Sequence, residues 1–249
     1  MVTVRQLEEL ALNALPALQT TLYDGWLLRF ANGYTRRANS VSPLYPASLD
    51  LDEKIAVCEQ LYAARGLAPV FKLTSAAQPP ELDAVLAQRG YRGDAHTSVQ
   101  TLALRQLPTL NTNPVVLAEK LTDDWCAAFF QLSMVDARYI PTMTQMLRNI
   151  AGGPCFALLH HEGIPIAVGL AVLDRGYVGL FDIVTVANAR RQGCATALVL
   201  QLLHWGQTRG AHHAYLQVMH TNSPAMRLYA KLGFREVYTY WYRVRPEQP

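Results

Sequence analysis

Charged residues are scarce in this 249-residue chain, and their scarcity argues against several classes of protein. Only 16% of the residues are charged and the formal net charge is +3, which is too small to indicate a nucleic-acid partner. No stretch of about 18 uncharged apolar residues occurs, so we expect no transmembrane helix and no membrane partner. Since 51% of the residues are hydrophobic, the chain is expected to fold around buried cores.

Cysteine is rare as well, and the residues present, Cys58, Cys126, Cys155 and Cys194, stand far apart. No C-x-x-C pair occurs, so the sequence indicates neither a zinc site nor a redox pair. The pairs His160-His161 and His212-His213 lack a third ligand at metal spacing, so we expect turn or surface histidines and no metal. Scattered thiols and the lack of an export-signal pattern near the N-terminus predict a cytoplasmic protein.

Hydrophobic spacing predicts helices and strands along the whole chain. Helices are expected over residues 3–19, 50–65, 79–91, 123–135, 141–150, 193–208 and 223–232. Strands are expected over residues 68–74, 97–104, 115–121, 214–218 and 236–244, with others inside 155–186. Two more strands are expected within 24–44, joined by a turn at Asn32-Gly33. The polar connection 105–114 is the best candidate for a linker.

Two parts of the chain are similar in sequence at a nearly constant offset. The segment 65–73 aligns with 209–217, and 86–92 aligns with 229–235. This recurrence predicts a duplicated unit with domains at 1–108 and 114–249, the alternative being chance, because helix–glycine–aromatic endings are common.

One stretch, "RRQGCATALVLQLLHWGQTRG" from residue 190 to 210, places a basic pair and a glycine where a helix begins. The first amides of a helix have no intrahelical partner, and an anion bound there is held by the backbone. Gly193 and Ala195 leave the backbone open to a ligand, while Arg190 and Arg191 supply cationic donors. The pattern favours a pyrophosphate site, with a plain solvated helix start as the alternative. Neither a P-loop nor G-x-G-x-x-G occurs.

These residues resemble a motif of the GCN5-related N-acetyltransferase (GNAT) superfamily, a strand followed by [RQ]-x-x-G-x-[GA] at a helix start. A second motif, "YLQVMHTNSPAMRLYAKLGF", places Asn222, Tyr229 and Gly233-Phe234 in the register of the family. The resemblance covers about residues 115–245. It departs from the family at Ala195, where a second glycine is usual, and at 186–189, where a proline is usual.

The resemblance implies a fold of class α/β (α+β), with two tandem GNAT-like domains. Each would be a mixed, mainly antiparallel sheet flanked by helices, and the first would be a degenerate copy. The first half has no glycine or arginine at 46–51, the segment that corresponds to 190–195, and carries Asp50 there.

The resemblance also implies acetyl-CoA as co-substrate. The backbone of Ile183, Val184 and Thr185 would pair with the pantetheine amides. The pyrophosphate would lie over the amides of Arg190, Arg191, Gln192, Gly193, Cys194, Ala195 and Thr196. Asn222 would tie the splayed strands or a bound water, or cap the next helix.

Tyr229 is the residue that matches the general acid of the family. A phenol near the thioester sulfur can protonate the leaving thiolate or hydrogen-bond to it. The alternative is a core aromatic that packs beside its helix neighbours. Some family members carry a glutamate as base where this chain has Gln217, so Asp182 is the next candidate. Asp182 could instead be a structural acceptor at a strand bulge, and Glu236 and His220 follow it as candidates.

The sequence therefore predicts an N-acetyltransferase that moves an acetyl group from acetyl-CoA to a primary amine by direct attack. The acceptor would be a small-molecule or peptide amine, and the protein a monomer or a homodimer. The alternative is a catalytically inactive CoA-binding or interaction module. A kinase-like domain would need a lysine and a metal-binding carboxylate in a loop that has neither.

Overall fold

The computed structural model describes residues 2–109 and 115–246. It confirms the predicted fold class, with mainly antiparallel strands and flanking helices. The chain divides into two compact units. The first takes in residues up to Val99, Val218–Asn222 and the segment from Glu236 onward, and the second takes in Gln100–Gln217 and Ser223–Arg235. The linker predicted at 105–114 lies partly outside the described residues, and the boundary placed there stays a prediction.

Helices and strands are numbered in chain order. The helices are α1 (Val4–Ala14), α2 (Leu51–Ala63), α3 (Leu82–Gln88), α4 (Asp123–Ser133), α5 (Ile140–Arg148), α6 (Cys194–Thr208) and α7 (Ser223–Lys231). The strands are β1 (Gln19–Tyr23), β2 (Trp26–Phe30), β3 (Val41–Pro43), β4 (Val70–Leu73), β5 (Arg92–Ala103), β6 (Val115–Ala118), β7 (Gly153–His161), β8 (Ile164–Asp174), β9 (Tyr177–Thr185), β10 (His213–Met219) and β11 (Arg235–Val244).

The strands of the first unit lie in the order β1-β2-β3-β4-β11-β5. β11 pairs antiparallel with β4, with Trp241 opposite Leu73 and Val244 opposite Val70. The next-to-last strand of this sheet thus comes from the far end of the described chain.

The two strands expected within 24–44 form as β2 and β3, which pair antiparallel. A turn does form at Asn32-Gly33, where φ is 51° and 75°. It does not join the strands directly, however, because the connection also contains a short 3-10 helix at Arg36–Ala38. The tight hairpin of this region lies earlier: β1 and β2 are joined at Asp24-Gly25, where φ is 40° and 82°.

The first helix is shorter than the sequence predicts. It ends at Ala14 rather than near residue 19, because Pro16 cannot continue a helix, and β1 begins at Gln19. β1 carries mostly exposed side chains, so its sequence shows no apolar alternation that would indicate a strand.

The core of the first unit contains alternate residues of β2, namely Trp26, Leu28 and Phe30, packed with buried residues of α2, α3 and β4. A buried ion pair joins α1 to β4. Lys72 Nζ contacts Glu8 Oε2 at 2.6 Å, and the two residues are 5% and 1% exposed. Both charges are paired, as burial in a nonpolar interior requires.

The strands of the second unit lie in the order β10-β9-β8-β7-β6, and of these pairings that of β10 with β9 is parallel and the others are antiparallel. α4 and α6 pack against β8, and their buried apolar side chains form the core of this unit. Gly169 on β8 lets α6 approach closely, because a Cβ there would meet Leu198 Cδ2 at 2.4 Å. Among the described residues, no helix has the length and apolar composition needed to cross a membrane.

Candidate functional site

A β-bulge interrupts β9 close to its end. Leu170 lies opposite Phe181, but Val168 lies opposite Val184, so Asp182 and Ile183 together face Gly169. Asp182 has a φ of 50°, in the left-handed region, and the strand bends at this irregularity. The carbonyl of Gly169, opposite the bulge, accepts a hydrogen bond from the indole of Trp125 at 3.1 Å. The bulge is therefore built into the packing of the unit.

The pairing of β9 with β10 ends just before the bulge. Within the described part of the chain, their parallel register runs from Tyr177 opposite His213 to Leu180 opposite Leu216, and it ends there. β9 continues to Thr185 and remains paired with β8 on its other side. The edge of β9 that faces β10 is thus free of ladder pairing over Ile183–Thr185, the residues predicted to pair with an amide-bearing ligand.

The helix that follows begins without a side-chain cap. Gly193 is the N-cap residue of α6, with φ 84° and ψ −4°, and it has no side chain with which to cap the helix start. The amide of Ala197 donates to the carbonyl of Gly193 at 2.9 Å, which makes it the first helical hydrogen bond of α6. The amides of Cys194, Ala195 and Thr196 therefore stand at the positive end of the helix dipole without helical acceptors.

The backbone at Gly193 is open to a ligand. A Cβ built at Gly193 would meet no atom of the described residues within 4 Å, so protein does not fill the space above the residue. A left-handed residue followed by a helical one turns successive amide N–H groups toward one side, which forms a concave anion site. The residues present fit the diphosphate predicted for this place.

The start of α2, the helix that the predicted duplication aligns with α6, carries a side-chain cap. The Asp50 carboxylate, which caps α2, accepts hydrogen bonds from the amides of Asp52 and Glu53, at 3.0 and 3.1 Å. Asp52 and Glu53 themselves add negative charge to the first turn. This helix start is thus occupied by the protein's own carboxylate.

Side chains of the 190–196 loop are mostly exposed and partly tied to the backbone. The guanidinium of Arg190 donates from Nε to the carbonyl of Thr185 at 3.3 Å, which connects the loop to the end of β9. Gln192 donates from Nε2 to the carbonyl of Asn188 at 2.9 Å. Arg191 is exposed and has a φ of 62°. Thr185 Oγ1 is buried and has no hydrogen-bond partner among the described residues, so it is available to a ligand.

Tyr229 lies on α7 in the same unit. It is 7% exposed, and its ring packs edge-on against Phe234 with centroids 5.8 Å apart. Burial raises the pKa of its phenol to about 12. The packing expected of a core aromatic is thus present, and the phenol keeps its proton throughout the neutral range.

The remaining predicted residues are distributed between the two units. Asp182 is half-buried at the bulge of β9, and Gln217 lies on β10. Asn222 belongs to the first unit, where its backbone amide donates to the carbonyl of Met219 at 2.9 Å. His220 and Glu236, also in the first unit, contact each other at 3.0 Å between Nε2 and Oε2.

A cavity of about 580 Å³ opens beside the loop in the second unit. Its walls are formed by the β7–β8 turn, the 3-10 helix Ala187–Ala189 and the start of α6. The lining residues are Leu159, His160, His161, Glu162, Ile166, Asn188, Ala189, Gln192 and Cys194.

This wall is not predicted from the sequence, where His160 and His161 are expected only as turn or surface residues. The structure places both histidines at the end of β7, His160 half-buried and His161 at the surface, and the turn follows at Glu162-Gly163. The same turn is the signal that could have indicated the wall, because it brings the end of β7 back beside the start of β8.

The chain is similar to known acetyltransferases over nearly its whole length. The family model described as "Probable histone acetyltransferase Rv0428c C-terminal" matches residues 2–243. The chain is 28% identical over 248 residues to "Uncharacterized N-acetyltransferase YobR" of Bacillus subtilis (strain 168), covering 97% of this chain and 98% of that protein.

Solved structures share the fold. A GCN5-related N-acetyltransferase from Kribbella flavida superposes with a TM-score of 0.75 at 16% identity, over 100% of this chain and 97% of that one. A tandem GNAT protein from the clavulanic acid biosynthesis pathway gives a TM-score of 0.65 at 13% identity, over 98% and 89%. The predicted resemblance is confirmed: the chain has the GNAT fold and belongs to the family of the Rv0428c C-terminal region.

Proposed function

We propose that the protein is an N-acetyltransferase that moves the acetyl group of acetyl-CoA to a primary amine of a small molecule or a peptide. The observation that carries the proposal is the pairing of an uncapped helix start at Gly193 with an unpaired strand edge at Ile183–Thr185. The first suits a diphosphate and the second suits the amides of an extended arm. Membership of a family whose model is named for an acetyltransferase supports the same reading.

In the proposed reaction, the amine nitrogen attacks the thioester carbonyl carbon and the carbon–sulfur bond breaks. A backbone N–H near the bulge would stabilise the oxyanion, which is worth about 3–4 kcal/mol in other enzymes. The amine's proton must leave and the thiolate must gain one.

Tyr229 is proposed to act on the thiolate. A free thiol has a pKa of about 8.5, whereas the buried phenol has a pKa of about 12. Full proton transfer from the phenol is therefore uphill, and a hydrogen bond that stabilises the developing charge is the more effective contribution. The negative charge on the sulfur disfavours a phenolate beside it, so the phenol remains a donor at neutral pH.

Asp182 is proposed as the acceptor of the amine's proton, directly or through a water. It lies on β9 two residues beyond Leu180, the last residue paired with β10, and it is half-buried. Gln217 cannot serve, because a neutral amide does not accept a proton at neutral pH.

The test combines binding and turnover on the full chain. Calorimetry with acetyl-CoA should show binding, and a panel of primary amines should release free CoA thiol from acetyl-CoA. Tyr229→Phe should keep the affinity for acetyl-CoA within about twofold and lower kcat by about 100-fold, the scale of general acid–base effects.

Each other outcome is informative. Binding without turnover on any amine would favour the inactive CoA-binding module. An absence of binding would remove the donor and contradict the proposal. Unchanged turnover in Tyr229→Phe would exclude a catalytic role for Tyr229 and leave it only the role of packing in the core.

A further inference from the structure

One face of the sheet in the first unit is polar although it is buried. Val41 of β3 belongs to the apolar core of this unit, so its neighbours Ser40 and Ser42 lie on the opposite face of the sheet. The amide of Arg29 donates to the carbonyl of Ser40 at 3.3 Å, which extends the pairing of β2 with β3 to these two residues. Residues that lie opposite each other in a ladder share a face, so the side chain of Arg29 is beside that of Ser40.

Helix α1 covers this polar face. Lys72, which alternation along β4 places on the same face, pairs with Glu8 of α1. The guanidinium of Arg29 donates from Nη2 to the carbonyls of Leu12 and Leu15, at the end of the same helix. The polar side chains are thus enclosed between the helix and the sheet, and Arg29 is only 3% exposed.

The charges on this face do not balance. Glu8 neutralises Lys72, whereas the hydrogen-bond acceptors of Arg29 among the described residues are carbonyls, the third being that of Arg37. Burial lowers the pKa of Arg29 to about 10, so the guanidinium keeps its charge at neutral pH. Carbonyls solvate a cation without neutralising it, and a buried charge is costly unless it is paired. One positive charge therefore lacks a counter-charge.

The same face carries hydroxyl groups that the protein does not satisfy. Ser40 and Ser42 are 0% and 1% exposed, and neither hydroxyl has a hydrogen-bond partner among the described residues. A buried donor left without an acceptor is destabilising. Two residues apart on one face means a spacing of about 6.6 Å, so one small ligand between the two side chains can contact both hydroxyls.

Tyr242 of β11 adds a third hydroxyl near the same charge. Its neighbour Trp241 packs against the apolar core, so Tyr242 lies on the polar face. It is 4% exposed and interacts electrostatically with Arg29. Burial raises the pKa of its phenol well above the ordinary value, so the group keeps its proton and is a donor.

We propose that the polar face of the first unit binds one small inorganic anion, of the size of chloride, between α1 and β3. The hydroxyls of Ser40 and Ser42 donate to the anion, and its charge offsets that of Arg29. A water molecule would also satisfy the hydroxyls but would leave the positive charge unbalanced, so the charge balance favours the anion. The inference is independent of the acetyl transfer proposed above, and it gives the first unit an ion that helps to hold α1 on its sheet.

Crystals of the full chain grown with bromide in place of chloride test the site directly. Bromide scatters anomalously, so an anomalous peak is expected in contact with the hydroxyls of Ser40 and Ser42. Density at this position without an anomalous signal would identify a water molecule and overturn the inference, as would the lack of any density there.

Thermal unfolding of the full chain tests the site in solution. Sodium chloride is compared with sodium gluconate at the same ionic strength, because gluconate is too large for a site of this size. With chloride well above its Kd, the Tm of wild type should be about 5 °C higher than in gluconate. The double variant Ser40→Ala/Ser42→Ala should lose most of that difference. No difference in wild type, or the same difference in both proteins, would overturn the inference.

A third variant separates this face from a general effect of serine removal. Ser98 is a buried serine of the same unit whose hydroxyl hydrogen-bonds to Glu236. Ser98→Ala should keep the full response to chloride, and a lost response would contradict the assignment to Ser40 and Ser42. If the double variant does not fold, the bromide experiment on wild type decides the question alone.

Discussion

Arg243 on β11 donates two hydrogen bonds to Asp83 on α3, from Nε to Oδ1 and from Nη2 to Oδ2, each at 2.8 Å. The indole of Trp241 donates to the same Oδ1, also at 2.8 Å. A helix from the first half of the chain is thus tied to a strand near the end of the described chain. The paired guanidinium is the main reason why the pKa of Asp83 lies below its ordinary value.

This pair predicts a dependence of stability on pH. Because the folded state lowers the pKa of Asp83, its contribution is fully present above the unfolded value of about 3.9 and is lost as pH falls further. Asp83→Asn should therefore be less stable than wild type at pH 7, and the difference should shrink at pH 3. Urea unfolding at the two pH values measures this. Arg243→Met should behave alike, and the double variant should be little worse than either; additive losses would contradict the pairing.

The buried pair of Glu8 and Lys72 predicts a larger effect. Glu8→Gln leaves Lys72 without its charge partner in a site that is 5% exposed, and breaking such a pair costs about 3–5 kcal/mol. Denaturant unfolding should show a loss of that size. Glu8→Gln combined with Lys72→Met should recover most of it, because no unpaired charge then remains. An equally unstable double variant would show that the loss does not come from the unpaired charge of Lys72, since a glutamine at position 8 can still accept the hydrogen bond that Tyr238 donates at 2.7 Å.

The open helix start predicts a graded response at Gly193. Gly193→Ala and Gly193→Asp share the cost of a side chain at φ 84°, about 1–2 kcal/mol. Only the aspartate adds a negative charge to the anion site, so acetyl-CoA affinity should fall at least about tenfold further than in the alanine variant. Calorimetry at low and high salt measures the acetyl-CoA affinity of the two variants. The difference in affinity between them should narrow at high salt, because salt screens the added charge. As a control in the other unit, Asp50→Ala should cost about 1 kcal/mol of stability and leave acetyl-CoA affinity unchanged.

The bulge predicts that the base role and the structural role of Asp182 can be separated. Asparagine adopts the left-handed conformation readily and glycine has no steric penalty there. Asp182→Asn and Asp182→Gly should therefore unfold near the wild-type temperature, while kcat/KM falls by about 100-fold in both. Full activity with asparagine would exclude Asp182 as the base. Lower stability with glycine alone would instead indicate that the side-chain contacts matter.

Local chemistry predicts where turns form but not what they connect. Both Asp24-Gly25 and Asn32-Gly33 have the positive φ angles that such dipeptides favour. The second turn opens a longer connection because Asn39 holds it: its Oδ1 accepts hydrogen bonds from the amides of Ala31 at 2.8 Å and Gly33 at 3.0 Å. The loop between β2 and β3 therefore closes through a side chain well beyond the dipeptide, and the dipeptide alone does not reveal it.

The candidate site, too, is only partly predictable from local sequence. The composition of 190–196 is enough to predict a helix start with exposed amides, because glycine and alanine act through the local backbone. The end of the β9–β10 pairing at Leu180 and the extra residue that β9 carries against Gly169 are not predictable from alternation. The cavity depends on the fold of the second unit, which brings His160 beside a loop distant in sequence, and no short-range pattern encodes it.

The position of β11 has a consequence for biosynthesis. β4 takes its antiparallel neighbour from a segment translated only after the second unit. Until the later segment has been synthesised, β4 therefore keeps an exposed edge. Such an edge is prone to pair with strands of other chains. Chaperones that cover this edge during synthesis would therefore affect the yield of native protein more than they affect the stability of the folded protein.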